Sequence, residues 1–282
     1  MPELLYSINP DRNRPWNSIP PLPIREELHD TIEILRKLGD AKAALGKLQG
    51  RSAVIPNQGL LINTISLQEA KVSSEIENIY TTNDELYREF SDNNNESNGA
   101  SKEVLRYREA LWSGFNYLKT TKRFDQQYFI RVFQEIKQTK DSIRPSFIQL
   151  TIKQGGTGPN AGQVVYTPPK NQEIIRDRLN NLIDFVNDDE RYSIDFLLKM
   201  AIAHFQFEAI HPFRDGNGRT GRIFNINYLT NKGLLDVPIL FLSKYILDNK
   251  NDFYAGLNGV SQRGDWKNWL LFMLTAIKNT SN

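Results

Sequence analysis

The stretch HPFRDGNGRTGR, residues 211–222, puts a histidine, a proline, three glycines, an asparagine, an aspartate and three arginines into twelve positions. Breakers and charges this dense do not serve packing alone. Just before it, residues 193–210 read as a helix that is apolar nearly all round, carrying Phe196, Leu197, Met200, Ala201, Phe205 and Phe207. Such a helix belongs at the centre of a fold. Pro212 makes its continuation unfavourable, so His211 is expected at the end of a rigid, buried mount. A second helix is predicted from about residue 219 to 231. Two helices joined by a charged glycine loop set the fold class as mainly α.

The loop has a chemistry of its own. Gly216, Asn217 and Gly218 permit positive φ and close backbone approach, and successive N–H groups in such a turn form an anion-binding concavity. The dipole of the following helix favours an anion at the same place. Arg219 and Arg222 are one helical turn apart, and guanidinium groups suit phosphate oxygens. The pattern is not a Walker A loop, because it has no Gly-Lys-Ser/Thr ending and no preceding strand. Asp215 offers a hard oxygen to Mg²⁺, which is usually held by one or two carboxylates plus phosphates and water. His211 can act as a base near neutral pH. A base, a metal ligand, an anion nest and two arginines point to transfer of a phosphorus group onto a hydroxyl.

Working outward, residues 172–186 read as a helix, and Trp266, Trp269, Leu270 and Met273 mark one face of a C-terminal helix. Upstream, FIQLTI and QVVYT are short strand-like runs joined by KQGGTGPNAG, which predicts a hairpin over about residues 146–169 with a glycine-rich tip. Helices are predicted near 102–118 and 125–136. SDNNNESNG, residues 91–99, reads as a surface loop between an N-terminal helical lobe (1–100) and a core (101–282). In that lobe Ser66 and Glu69 have capping-box spacing, predicting a helix from about 66 to 80. Ile32, Leu35 and Leu38 suggest an amphipathic helix over 25–48. Trp16, Leu22 and Ile24 are expected to hold down a proline-rich arm.

The bulk numbers narrow the function classes. The 282 residues carry 35 Lys+Arg against 33 Asp+Glu, so no overall field draws the chain to nucleic acid or an anionic membrane. The absence of cysteine excludes disulfides and thiolate metal sites. The first residues lack the apolar run of a secretory signal and no stretch is long and apolar enough to span a bilayer. A cytoplasmic protein is expected. His204, Glu208 and His211 share a helix face but do not form HExxH, so a zinc site is disfavoured and His204 is expected to be a hydrogen-bonded core histidine.

Residues 211–222 meet every fixed position of H-x-F-x-[D/E]-G-N-G-R-x-x-R, and so resemble the motif of the Fic family. PWNSIPPLPI, SLQEAKVSSEIENI and VVYTPP resemble the N-terminal region and flap of longer Fic proteins. The resemblance implies a Fic-type helical bundle with a small β-hairpin flap, and AMP transfer from ATP to a Ser, Thr or Tyr hydroxyl of a target protein, releasing pyrophosphate. On that resemblance His211 is the base and Asp215 holds Mg²⁺. Gly216, Asn217, Gly218, Arg219, Thr220, Gly221 and Arg222 bind the phosphates, and Phe213 packs inward. Tyr254 sits where the family places an adenine contact. Val164, Val165 and Tyr166 form the edge on which a target segment docks by strand addition.

SSEIEN, residues 73–78, resembles a second Fic-family pattern, [S/T]-x-x-x-E-[G/N]. There the glutamate pairs with the motif's second arginine, which here implies Glu77 with Arg222, Ser73 lying on the same helix face. The implied resting state is autoinhibited. Two alternatives stay open: removal of AMP from a modified protein, with Glu77 positioning water, and a non-catalytic nucleotide-sensing module. The tail after residue 231 is too short for an added winged helix, so direct DNA binding is not supported, and a homodimer is compatible.

Overall fold

The structure is a computed structural model, and it describes residues 6–56, 58–91, 99–153 and 162–282. Among them are eleven α-helices and one two-stranded antiparallel sheet. The N-terminal arm leads through a 3₁₀ turn, Glu26–Leu28, to α1, Ile32–Ala53. Then come α2 (Gln58–Ile76), α3 (Asn83–Ser91), α4 (Gly99–Thr121) and α5 (Gln126–Lys137). The strands are β1 (Ile152–Lys153) and β2 (Val164–Tyr166), followed by α6 (Gln172–Asn187), α7 (Phe196–Ile210), α8 (Asn217–Asn231), α9 (Leu242–Asp248), α10 (Lys250–Arg263) and α11 (Trp266–Thr280). No helix among the described residues is long and apolar enough to cross a membrane.

α7 and α8 form the centre. α7 packs on α6, α8 and α11, and α8 on α4, α5 and α7. Thirteen of α7's fifteen residues are buried, as its composition predicts, and even Lys199 and Gln206 find partners: Lys199 pairs with Asp189 at 2.7 Å, and Gln206 donates to Pro20 O at 2.8 Å. Asp195 caps α7 through Leu197 N, and Asp125 caps α5 through Tyr128 N. Trp266, Trp269, Leu270 and Met273 pack α11 into this core. Trp16, Ile19, Leu22 and Ile24 of the arm are also buried, and Trp16 N donates to Thr167 O just beyond β2 at 3.1 Å.

Several elements depart from expectation. α2 starts at Gln58, so Ser66 caps nothing. Its hydroxyl donates within the helix to Asn63 O at 3.1 Å. Glu69 reaches outward instead, accepting from Tyr107 Oη at 3.2 Å and from Ser243 N at 3.0 Å. The apparent capping box is two unrelated polar anchors. α1 buries Ile34, Leu38, Ala41 and Leu45, whereas Ile32 and Leu35 are 71% and 46% exposed. Thr31 caps this helix, and tertiary packing turns the i, i+4, i+7 series from Ile34 toward the core. β1 and β2 are shorter than predicted, because only Ile152 opposite Tyr166 and Lys153 opposite Val164 pair, with an irregularity between them. The predicted hairpin tip (154–161) and most of the 91–99 loop lie outside the described residues.

Candidate active site

His211 terminates α7 in the left-handed region, φ 50° and ψ 61°. Its Nδ1 lies 3.2 Å from Glu208 O. A carbonyl only accepts, so Nδ1 carries the proton and Nε2 is left as the free basic nitrogen. Burial pushes the imidazole pKa down to about 4, so the ring is neutral at physiological pH.

The loop that follows is held by its own side chains. Asn217 accepts from Phe213 N and donates to Phe213 O, each at 2.9 Å. Phe213 is fully buried and stacks on Phe133 with centroids 4.2 Å apart and planes 3° off parallel. The expected inward packing is met. Replacing Phe213 by Ala should lower stability by about 3–5 kcal/mol, and thermal unfolding would show a loss well beyond that of an exposed Phe147→Ala control.

α8 begins at Asn217, two residues earlier than predicted, because Gly216 takes φ 73° and serves as its N-cap residue. Arg219 therefore lies inside the first turn. The Thr220 hydroxyl turns back to Gly216 O at 2.9 Å, and Gly221 packs against Glu208 and His204. Both face the core. Gly218 faces the other way: a Cβ there would lie 2.3 Å from Glu77 Oε1 and 3.0 Å from Arg222 Nη1. Glycine is needed at 218 for close approach of a carboxylate.

That carboxylate is delivered by the end of α2. Ile79 N donates to Ser74 O and Asn78 N to Glu75 O, both at 3.0 Å, with Asn78 at φ 63°. This is a Schellman closure with the left-handed position at Asn78, and it ends the helix about four residues before the predicted stop. It also explains why glycine or asparagine should follow the glutamate. Glu77 is the C-cap residue and its side chain meets Arg222 Nη2 at 2.7 Å. Arg222 also donates through Nε to Ser73 Oγ at 2.7 Å and through Nη2 to Ser73 O at 3.0 Å. Burial is the largest influence and would raise the Glu77 pKa, but the charge and hydrogen bond of Arg222, with the charge of Arg219 added, together hold the carboxyl below its usual range.

Glu77, Val165, Tyr166, His211, Gly218, Arg222 and Tyr254 line one cavity. Val164 pairs with Lys153 outside this lining, and Tyr166 points inward, its hydroxyl donating to Ala209 O at 2.7 Å. Arg219 and Asp215 also lie outside the lining. Arg219 pairs with Glu103 at 2.6 Å, and Asp215 with Lys137 at 2.7 Å. Lys137 also reaches Glu103 at 3.4 Å, closing a chain of four charges. Glu103 and Lys137, with Arg144 and Lys250, were not found by sequence reading. Lys250 Nζ donates to Ile76 O at 2.6 Å, capping the end of α2.

The donor set fits Mg²⁺ brought in with phosphates. Asp215 is a lone carboxylate, its side chain 66% exposed, and no group of three or more His, Cys, Asp or Glu able to hold a metal exists among the described residues. His204, Glu208 and His211 form no such group among the described residues. His204 is a core residue stacked on Trp269, 5.9 Å between centroids and 9° off parallel, and neither ring nitrogen makes a hydrogen bond of normal geometry. It is thus in the core as expected, with a weak hydrogen bond to the Gly221 backbone. Burial pushes its pKa down to about 3.

Glu208 gives a pH prediction. Burial pushes its pKa up to about 8, so the folded protein keeps a proton that the unfolded chain releases near pH 4.5. A raised folded pKa contributes stability that is full below the unfolded value and lost as pH rises through the folded one. Above pH 6.5, where the depressed histidines no longer contribute, thermal midpoints should therefore fall toward pH 9, and Glu208→Gln should flatten that decline. His204 and His211 act on the acid side, below pH 6.5. Parallel curves for the two proteins would refute a neutral Glu208.

The chain is similar to known proteins over most of its length. The Fic/DOC family N-terminal region matches residues 35–116 and the Fic/DOC family matches residues 120–229. A Caenorhabditis elegans protein named protein adenylyltransferase fic-1 is 30% identical over 105 residues, 37% of this chain and 19% of that protein. A probable protein adenylyltransferase of Aquifex aeolicus is 26% identical over 197 residues, 66% of this chain and 54% of that one. The chain thus spans about half or less of the length of these relatives. Among solved structures, a Fic family protein from Desulfovibrio desulfuricans G20 has a TM-score of 0.72 at 20% identity, covering 93% of this chain and 75% of that one. Fic-1 from C. elegans has 0.63 at 19% identity, covering 88% and 69%. The two family matches are consecutive and together cover more than half of the sequence, and the chain is a member of the Fic/DOC family.

Proposed function

We propose that this protein is an autoinhibited protein adenylyltransferase, which moves AMP from ATP to a Ser, Thr or Tyr hydroxyl of a target protein and of itself. The observation that carries this reading is the shared cavity: a neutral His211, Gly218 of the first turn of α8 and the buried Arg222 open onto one space beside β2. The names of the distant relatives support it.

In the proposed reaction His211 Nε2 takes the proton of the attacking hydroxyl. The hydroxyl oxygen forms a bond to the α-phosphorus, the bond to the bridging oxygen breaks, and pyrophosphate leaves. The N–H groups of Gly216, Asn217 and Gly218 cradle the phosphates, and Arg219 and Arg222 balance their charge. Mg²⁺ held by Asp215 would neutralise further phosphate charge. Tyr254 walls the base end of the cavity. Val165 and the backbone of β2 register a target segment by strand addition. Arg222 is gripped by Glu77, and the Glu77 carboxylate lies over Gly218 where a phosphate would go, which supports autoinhibition.

Labelled ATP distinguishes the reaction type. With Mg²⁺, label at the α-phosphate should appear on protein and label at the γ-phosphate should not. Transfer of the γ-label would make the protein a phosphotransferase. No transfer of either label, even from the Glu77→Gly variant, would reject adenylylation.

A further inference from the structure

Arg144 is completely buried, yet its guanidinium meets no carboxylate among the described residues. Every acceptor it has is a backbone carbonyl. Nε donates to His211 O at 2.9 Å, Nη1 to Ile148 O at 3.3 Å, and Nη2 to Pro169 O and, at 3.5 Å, to Ile210 O. Its own backbone N donates to Pro212 O at 2.9 Å. These carbonyls fall into two groups. Ile210 and His211 end α7, where the helix leaves carbonyls without intrahelical partners and its dipole favours a cation. Ile148 and Pro169 flank the hairpin, one before β1 and one after β2. A single planar fork thus ties both ends of the hairpin to the residue that carries the free imidazole.

The tie has work to do at each end. His211 holds φ 50°, a conformation that a non-glycine residue keeps only where its surroundings over-determine it. The sheet is only two and three residues long and cannot fix its own position. Tyr166 supplies a second, weaker link, from β2 to Ala209 O.

We propose that Arg144 is a positioning residue that sets the distance and angle between the hairpin and His211, so that a segment paired to β2 presents its hydroxyl to Nε2. This rests on the proposed function for its kinetic consequence, but not for its structural one. Lysine cannot substitute, because an ammonium is a point donor and cannot bridge four carbonyls in one plane.

The test is Arg144→Lys in the Glu77→Gly background, with ATP affinity, transfer rate and the ring signals of His211 measured together. ATP affinity should stay within about twofold, since Arg144 does not line the cavity. The transfer rate should fall about 10- to 100-fold, the scale of a small misplacement of reacting groups. Nitrogen-15 NMR of the imidazole in nucleotide-free protein should show a changed Nδ1–H environment, whatever reaction the enzyme performs. That readout separates failure of this inference from failure of the adenylyltransferase reading. Unchanged ring signals overturn the proposal, as does a rate loss matched by lost ATP affinity. If Arg144→Lys does not fold, Tyr166→Phe removes only the weaker link. It should slow transfer about threefold at unchanged ATP affinity, and an unchanged rate overturns the coupling.

Discussion

Glu77→Gly should raise AMP transfer and self-modification by at least about 10-fold, because it frees a buried arginine and clears the phosphate cradle at once. Arg222 is 2% exposed and satisfied by Glu77 and Ser73 together. Removing Glu77 leaves both Ser73 contacts, so the guanidinium stays aimed while losing its charge partner. Breaking a fully buried pair costs about 3–5 kcal/mol. The cost here is smaller, since the Glu77 side chain is 34% exposed. A phosphate oxygen can restore that partner. The variant should therefore melt below wild type without nucleotide and gain more from ATP and Mg²⁺ than wild type does. Equal labelling of the two proteins would end the autoinhibition reading. If the variant instead lost an activity that strips AMP from a modified protein, Glu77 would be positioning water and removal would be the reaction.

What could be read from the chain divides along a physical line. The 211–222 loop was legible because each residue type answers a local backbone demand: Gly216 a left-handed φ, Gly218 a close approach, Asn217 a clasp on Phe213. The Glu77–Arg222 contact was implied only by the resemblance to a family pattern, and the structure adds the physical reason: Asn78 closes α2 in a Schellman turn and leaves Glu77 at a defined place. The central helix was legible because all its faces are apolar. The rotation of α1 and the start of α2 were not, since Ile32 with Leu35, and Ser66 with Glu69, copy local signals that tertiary packing overrules. Glu103, Lys137 and Arg144 were hidden for a stronger reason. Their partners lie 116, 78 and 67 residues away, and nothing in their own neighbourhoods marks them.

In the Glu77→Gly background, replacing His211 should cut transfer by about 10²–10⁴-fold, the range of general acid–base catalysis. ATP affinity should be kept, because Gly218, Arg222 and Tyr254 are untouched. Alanine alone is a poor probe here. His211 sits at φ 50°, where a Cβ-bearing residue costs about 1–2 kcal/mol, and loss of rate could follow from a relaxed loop. Asparagine tolerates that conformation better and has no basic nitrogen. His211→Asn should thus fold as well as the parent, bind ATP as well, and still transfer nothing above background. A transfer rate in His211→Asn near that of the parent would mean that another group takes the proton, and Nε2 would lose its role. A biological output that persisted in this variant would favour nucleotide sensing over catalysis.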